Sequence, residues 1–207
     1  PGLRRLAANS AWNCVGQAVP ALAALATAPQ LVNVLGVERF GMLGILWAVL
    51  GYLGIFELGI GRALTQTISE RRETREAGDV WVGLLTLAAL GLVTALAVGA
   101  FAFGFGDRAF HLPPPLATEV RDSFFGVALA IPFVLLSTGL RGILEAYGQF
   151  RALSLVRSTA GSLMFVGPWA VCFLRPSLTS VVGVLVVIRA VTFGVLLWLC
   201  LKETTEL

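Results

Sequence analysis

Arg189 is the residue with the clearest potential for chemistry in this 207-residue sequence, because it lies in the middle of an apolar run, VVGVLVVIRAVTFGVLLWL. It is so far from both ends of the run that its side chain cannot easily reach water at either membrane surface. An ionised group in hydrocarbon is costly unless it is paired or faces water. Two interpretations stay open: Arg189 faces an aqueous cavity that receives an anionic ligand, or it pairs with one buried carboxylate for structure.

Three other ionisable positions lie nearer to the ends of apolar runs. Glu57, in YLGIFELGIGRALTQ, either pairs with a nearby arginine or takes part in proton or cation coupling. Arg62 follows close to the expected membrane surface, where a basic residue also serves as a topological anchor. Arg141 and Glu145 are four residues apart, so they are expected to form an intrahelical ion pair.

A row of amides and a pair of arginines complete the set of polar residues. Asn9, Asn13 and Gln17 recur every four residues and therefore share one face of a helix. This face either lines a cavity or hydrogen-bonds to a neighbouring helix, and we favour the helix contact. Arg151 and Arg157 flank a predicted turn, where they either set the topology or attract an anionic head group or phosphate.

The sequence contains none of the common catalytic or metal-binding motifs. There is no GxSxG, no HExxH, no Walker loop and no pair of intramembrane aspartates, and His111 is the single histidine. The three cysteines show no CxxC spacing, so neither a zinc site nor a disulfide framework is indicated. We therefore expect a protein that is not an enzyme and needs no cofactor apart from a coupling ion, H+ or Na+.

The composition identifies the solvent that surrounds these residues. Apolar residues make up 57% of the chain and charged residues 13%, and the mean hydropathy is +0.86. A soluble domain carries about 25% charged residues, so this chain cannot cover itself in water. A net charge of only +3, scattered along the sequence, also argues against binding of nucleic acid. The expected surroundings are a lipid bilayer.

Six apolar runs are long enough to cross that bilayer as helices. They predict an all-α integral membrane protein, a single six-helix bundle with spans at residues 12–35, 40–61, 80–106, 123–147, 152–174 and 177–201. The sequences between the runs are typical of loops, for example GVER at 36–39 and the prolines at 113–115.

The basic residues predict the orientation of the bundle. Ten of the 15 lysines and arginines fall on one side of the predicted membrane and four on the other, with Arg189 between them. Because basic residues near short loops stay on the cytoplasmic side, both ends of this chain are expected in the cytoplasm. The protein is thus predicted to lie in the cytoplasmic (inner) membrane.

Two stretches of the sequence resemble a known family. Residues 31–70 and 139–158 are similar to the first hairpin and to an inner corner of polysaccharide flippases, the Wzx-like branch of the multidrug/oligosaccharidyl-lipid/polysaccharide transporter superfamily. The shared features are Leu35-Gly36, Phe40-Gly41, Glu57-Leu58-Gly59-Ile60-Gly61, Ala63-Leu64 and, at the corner, Leu144-Glu145 with Gly148. This chain has Glu57 where the family usually has an aspartate.

The resemblance implies an architecture and an activity. The chain would be the N-terminal lobe of a two-lobe transporter with 12–14 helices, and the second lobe would be its partner. Its activity would be translocation of a lipid-linked oligosaccharide to the outer leaflet by alternating access. On this hypothesis Glu57 takes part in gating or ion coupling, and the substrate-binding residues are Arg189, Arg62, Arg141, Asn13 and Gln17.

Two alternatives remain open from the sequence. The chain could belong to a cation-coupled multidrug exporter of the same superfamily, which should present carboxylates rather than arginines to its cavity. It could also be a membrane subunit that transports nothing and docks a glycosyltransferase or a glycan polymerase.

Overall fold

The computed structural model describes residues 2–52, 77–109 and 113–205, with side chains described at 18–52, 81–104, 113–114 and 116–203. Within these ranges the chain forms six helices and no strand. They are α1 (Gly2–Leu35), α2 (37–52, where the first range ends), α3 (Ala77–Ala109), α4 (Pro114–Ala146), α5 (Phe150–Cys172) and α6 (Leu178–Thr205).

Two predicted loops are shorter than the sequence indicated. The break at 36–39 is a single residue, Gly36, whose φ of 81° lies in the left-handed region that glycine adopts without strain. The helix after the proline run begins at Pro114 instead of residue 123. Proline suits the first turn of a helix, because its fixed φ is helical and its missing N–H would have no partner there.

The helices have the length and composition of membrane spans. Four stretches are apolar enough to cross a bilayer: Ala18–Leu35, Trp81–Gly104, Leu116–Ala146 and Leu178–Glu203. The α5 helix is long enough but less apolar, and α2 is described only in part. The predicted all-α membrane bundle is therefore confirmed.

The α4 helix is the centre of the bundle. It packs against α3 on one side and α6 on another, while α5 packs against both α6 and α1. Of its apolar stretch 61% is buried inside the protein, against 22% or less for the other three stretches. The main hydrophobic core lies between α2, α4 and α6. Its buried members include Leu43, Leu46, Val127, Ile131, Val181 and Leu185.

Glycines allow the helices to approach one another closely. A Cβ at Gly126 on α4 would lie 2.7 Å from Val182 Cγ1 on α6, and a Cβ at Gly161 on α5 would lie 2.8 Å from Pro20 Cγ on α1. Both distances are too short for real atoms, so these positions accept no side chain without movement of a neighbour. Packing through small residues is typical of helices in lipid.

Candidate functional site

Arg189 lies on the face of α6 that packs against α4. On this face Val182 and Val186 lie against Gly126 of α4. Phe193 contacts Phe133 of α4, with ring centroids 5.8 Å apart. Arg189 falls between Val186 and Phe193 at helical spacing and therefore shares their face.

The surroundings of Arg189 are partly closed. Its Nε atom is buried, the residue as a whole is half-buried, and it has an interaction partner in the structure. Its guanidinium is thus neither fully exposed to lipid nor fully enclosed. Both interpretations of this arginine, the cavity and the structural pair, stay predictions.

Arg141 lies at a different depth of the bundle. The α4 and α6 helices run parallel, and the Cys200 Sγ atom lies 3.5 Å from the Leu140 carbonyl oxygen, so Arg141 is level with Cys200. Eleven residues of helix separate Cys200 from Arg189, which corresponds to roughly 16 Å along the axis. The structure therefore does not bring the two arginines together. Arg141 is half-buried and has an interaction partner, Glu145 is exposed, and the ion pair expected between them stays a prediction.

Four predicted site residues cannot be placed as side chains. Glu57 and Arg62 lie outside the described residues. Asn13 and Gln17 belong to helix α1, but their side chains are outside the described ones. Their spacing puts them on the same helical stripe as Pro20, which contacts Gly161 of α5. The backbone at 13 and 17 thus continues the side of α1 that packs on α5.

Arg39, Glu119 and the backbone of Leu178 form a polar cluster that the sequence did not predict. The Arg39 guanidinium on α2 donates two hydrogen bonds of 2.9 Å to the two carboxylate oxygens of Glu119 on α4. The backbone N–H of Leu178, at the start of α6, donates to the same carboxylate at 3.2 Å. Glu119 thereby joins three helices and caps α6, where a carboxylate is also favoured by the helix dipole. The bond to Glu119 raises the pKa of Arg39.

No local signal marked this pair, because its members are 80 residues apart in the chain. From the sequence, Arg39 is one of the four basic residues on the side of the membrane that has fewer of them, and Glu119 follows a proline run that predicts a loop. Two parallel hydrogen bonds between an arginine and a carboxylate fix the relative position of their helices as well as stabilising it. This end of the bundle is held together by polar contacts.

The opposite end has a polar contact of its own. The Gln149 side-chain amide, in the turn between α4 and α5, donates a 2.8 Å hydrogen bond to the Glu203 carboxylate near the end of α6. Gly148, beside it, has a φ of 77°, which explains the glycine of the family-like corner. Hydrogen bonds therefore link α6 to α4, or to the turn that follows α4, near both ends of the helix pair.

An apolar groove of about 240 Å³ opens between α3, α4 and α6. Its wall has no polar surface and contains none of the predicted site residues; it is formed by Trp81, Leu84, Leu85, Ala88, Leu136, Leu140, Phe193 and Leu197. Such an apolar groove suits a hydrocarbon chain. Among the described residues no group of histidine, cysteine, aspartate and glutamate is placed to hold a metal ion.

Comparison with known proteins gives matches that cover most of the chain. A family model described as "Polysaccharide biosynthesis protein" matches residues 6–205, which include both stretches that carry the resemblance. A protein of Shigella flexneri named "Putative O-antigen transporter" is 28% identical over 188 residues. That alignment covers 89% of this chain but only 44% of the relative, so the chain spans less than half of the relative's length. No solved structure matches.

Proposed function

The chain belongs to the polysaccharide biosynthesis protein family, and from this premise we propose that it is one lobe of a membrane transporter that translocates a lipid-linked oligosaccharide or polysaccharide repeat unit. The observation that carries the proposal is the family match over nearly all of a bundle with four bilayer-crossing apolar helices. The similarity to a protein named for O-antigen transport supports the same substrate class.

Alternating access between two lobes is the mechanism that we propose. Each lobe would move as a body about a substrate site, with different affinities in the inward-open and outward-open states. Two features support rigid movement of this lobe: the contact of Glu119 with Arg39 and Leu178, and the close packing at Gly126 and Gly161. The second lobe is the proposed partner in the complete protein.

The proposed roles of individual residues follow from charge. A phosphate-linked sugar is anionic, and arginine binds phosphate through charge-assisted, often bidentate hydrogen bonds. We assign the anionic head group to Arg189, with Arg141 or Arg62 nearer to the inner mouth. Asn13 and Gln17 would contribute hydrogen bonds, and Glu57 would act in gating or in coupling to H+ or Na+.

Reconstitution of the complete transporter tests the proposal against its alternatives. Proteoliposomes would receive a fluorescent lipid-linked oligosaccharide in one leaflet, and its arrival in the other leaflet would be followed by quenching from outside. We expect translocation well above that of empty vesicles. Export of a cationic drug without translocation of the glycan would instead identify a multidrug exporter. Activity towards neither compound, with a glycosyltransferase or polymerase co-purifying, would identify a docking subunit.

A further inference from the structure

The α5 helix is unusual among the fully described helices of this bundle. Its 23 residues extend about 34 Å, enough to cross the roughly 30 Å of hydrocarbon. It is nevertheless missing from the four stretches that are apolar enough to do so. Two arginines and several hydroxyl residues lower its apolarity, and of these Arg151, Arg157 and Thr159 are exposed. A helix at membrane depth with this composition needs water or protein beside it.

Four polar residues of α5 share one row with two aromatic residues, whereas Arg157 and Thr159 lie off this row. Residues spaced by three or four along the helix share a face, and this face begins at the turn after α4. We call it the α5 stripe; it consists of Arg151, Ser154, Ser158, Ser162, Phe165 and Trp169. Arg151 is exposed and the other five residues are half-buried. The stripe is therefore neither part of the core nor fully open.

Other faces of α5 serve other purposes. Gly167 lies against Val184 and Ile188 of α6, and Gly161 lies against Pro20 of α1. Leu163, 44% exposed, belongs to an outward apolar face. The α5 stripe runs between the α1 side and this outward face, and it is turned away from α6.

The far end of the stripe meets two other helices. The indole N–H of Trp169 donates to the side-chain oxygen of Gln30 on α1. The ring of Phe165 packs edge-on against Trp47 of α2, with centroids 5.2 Å apart. The Trp47 indole N–H is buried and has no acceptor among the described residues. Amide, indole and aromatic groups thus continue the row of hydroxyls.

The serine hydroxyls of the stripe differ in whether they donate a hydrogen bond to a backbone carbonyl of α5. Ser162 donates to the Ser158 carbonyl at 2.8 Å, a common arrangement in helices. Within the described part of the chain, the Ser154 and Ser158 hydroxyls have no such bond. These two hydroxyls can therefore bond to water or to a ligand, and an unpaired hydroxyl in hydrocarbon would be costly.

We propose that the α5 stripe lines the water-filled passage and contacts the sugar rings of the transported glycan. Serine hydroxyls can donate to and accept from sugar hydroxyls, and the half-buried aromatic rings of Phe165 and Trp169 suit the apolar C–H faces of a sugar ring. Arg151, at the end of the stripe, adds a positive charge that attracts the anionic ligand before its head group reaches Arg189. This inference rests on the proposed function, because it assigns a glycan-binding surface within the same transporter.

Accessibility of single cysteines tests the passage. In the complete transporter with Cys14, Cys172 and Cys200 replaced, Ser154, Ser158 and Ser162 would each be changed to Cys and treated with a membrane-impermeant maleimide. Leu163→Cys on the outward face of α5 and Leu92→Cys, 58% exposed on α3, are the matched controls. We expect labelling of the three stripe positions at least about tenfold faster than of the controls, since thiols in hydrocarbon remain protonated and unreactive. Equal rates would overturn the assignment.

Protection by ligand tests the contact with sugar. A lipid-linked oligosaccharide should slow labelling of Ser158→Cys, whereas the same lipid pyrophosphate without sugar should not. Labelling that is fast but unaffected by the oligosaccharide would refute glycan contact.

A second variant avoids the cysteine-free background. Combined Ser154→Ala, Ser158→Ala and Ser162→Ala should raise the KM for the glycan about tenfold with kcat maintained, because hydrogen bonds are lost without loss of fold. Normal translocation with an unchanged KM would contradict this inference alone. Failure of the unmodified transporter to translocate the glycan would instead contradict the proposed function.

Discussion

At the scale of single residues, two arginines illustrate different uses of the same side chain. Arg39 lies at the edge of the bundle, and its guanidinium is matched to one carboxylate, that of Glu119. Arg189 lies inside α6 with its Nε atom buried. The first is a structural contact between helices. The second is the position at which a charge inside the membrane requires a function or a permanent partner.

Replacement of Arg189 is the direct test of its proposed role. Arg189→Ala in the complete transporter should abolish polysaccharide export while the protein still reaches the membrane, because the anionic head group loses its counter-charge. Arg189→Lys keeps the charge but not the planar fork, so intermediate export is expected. Val187→Ala on the exposed side of the same helix should leave export unchanged. Full export by Arg189→Ala would show that Arg189 does not bind substrate.

Removal of the Glu119 carboxylate should weaken the bundle. Glu119→Gln leaves one neutral acceptor oxygen in place of two charged ones, so the hydrogen bonds to Arg39 and Leu178 are lost or weakened, and we expect a destabilisation of about 1–2 kcal/mol. The Arg39–Glu119 contact stabilises the bundle less than a buried ion pair would, because the two side chains are 36% and 23% exposed and solvent screens their charges. The measurement is the midpoint of thermal unfolding in detergent.

A nearby acidic residue provides the control for Glu119. Asp122 is on the same helix, 49% exposed, and its contact with Arg121 is 3.8 Å long. Asp122→Asn should therefore leave the midpoint unchanged. If both variants unfold at the wild-type temperature, the Arg39–Glu119 contact does not stabilise the bundle.

At the scale of helices, the glycines decide how closely neighbours can pack. Gly161→Ala would place a Cβ 2.8 Å from a ring carbon of Pro20, and a proline ring has no rotamer by which to move away. We expect a loss of about 1–3 kcal/mol, typical of overpacking. Thermal unfolding and the fraction of monodisperse protein after purification would measure it.

Gly183→Ala is the control for that substitution. A Cβ at this position of α6 meets nothing within 4 Å, and alanine favours a helix over glycine by up to about 1 kcal/mol. This variant should therefore be neutral or slightly stabilised. Equal destabilisation of the two variants would mean that loss of glycine, and not the contact with Pro20, is responsible.

The helices also show what sequence reasoning could and could not provide. An apolar run predicted each of the six described helices, because a helix in lipid satisfies its own backbone hydrogen bonds and carries mostly apolar side chains. The start of α4 was placed nine residues too late, since Glu119, Arg121 and Asp122 interrupt the apolar pattern although they are helical. The pairing of Arg39 with Glu119 required knowledge of which helices are neighbours, and nothing local encodes that.

At the scale of the whole molecule, orientation in the membrane remains the prediction with the widest consequences. The turn at 148–149 and the loop around Leu174 lie at opposite ends of α5. Because basic residues concentrate near the first of these, it is expected to face the cytoplasm.

Cysteines at two exposed positions would measure the orientation in a cysteine-free transporter. Leu174→Cys, at a residue 82% exposed, should react with an impermeant thiol reagent in intact cells. Phe150→Cys, at a residue 54% exposed, should react only after the membrane is permeabilised. The reverse pattern would invert the topology and move the proposed inner mouth to the other side.

The contact of Pro20 with Gly161 has a consequence for biogenesis. The two residues are 141 positions apart, so α1 leaves the ribosome long before the helix on which it packs. At a synthesis rate of about 5–20 residues per second, the delay is on the order of 10 s. During this time α3 and α4, which are neighbours in sequence, can already pair. The contact between α1 and α5 therefore forms only after α5 has been synthesised, late in the assembly of the bundle.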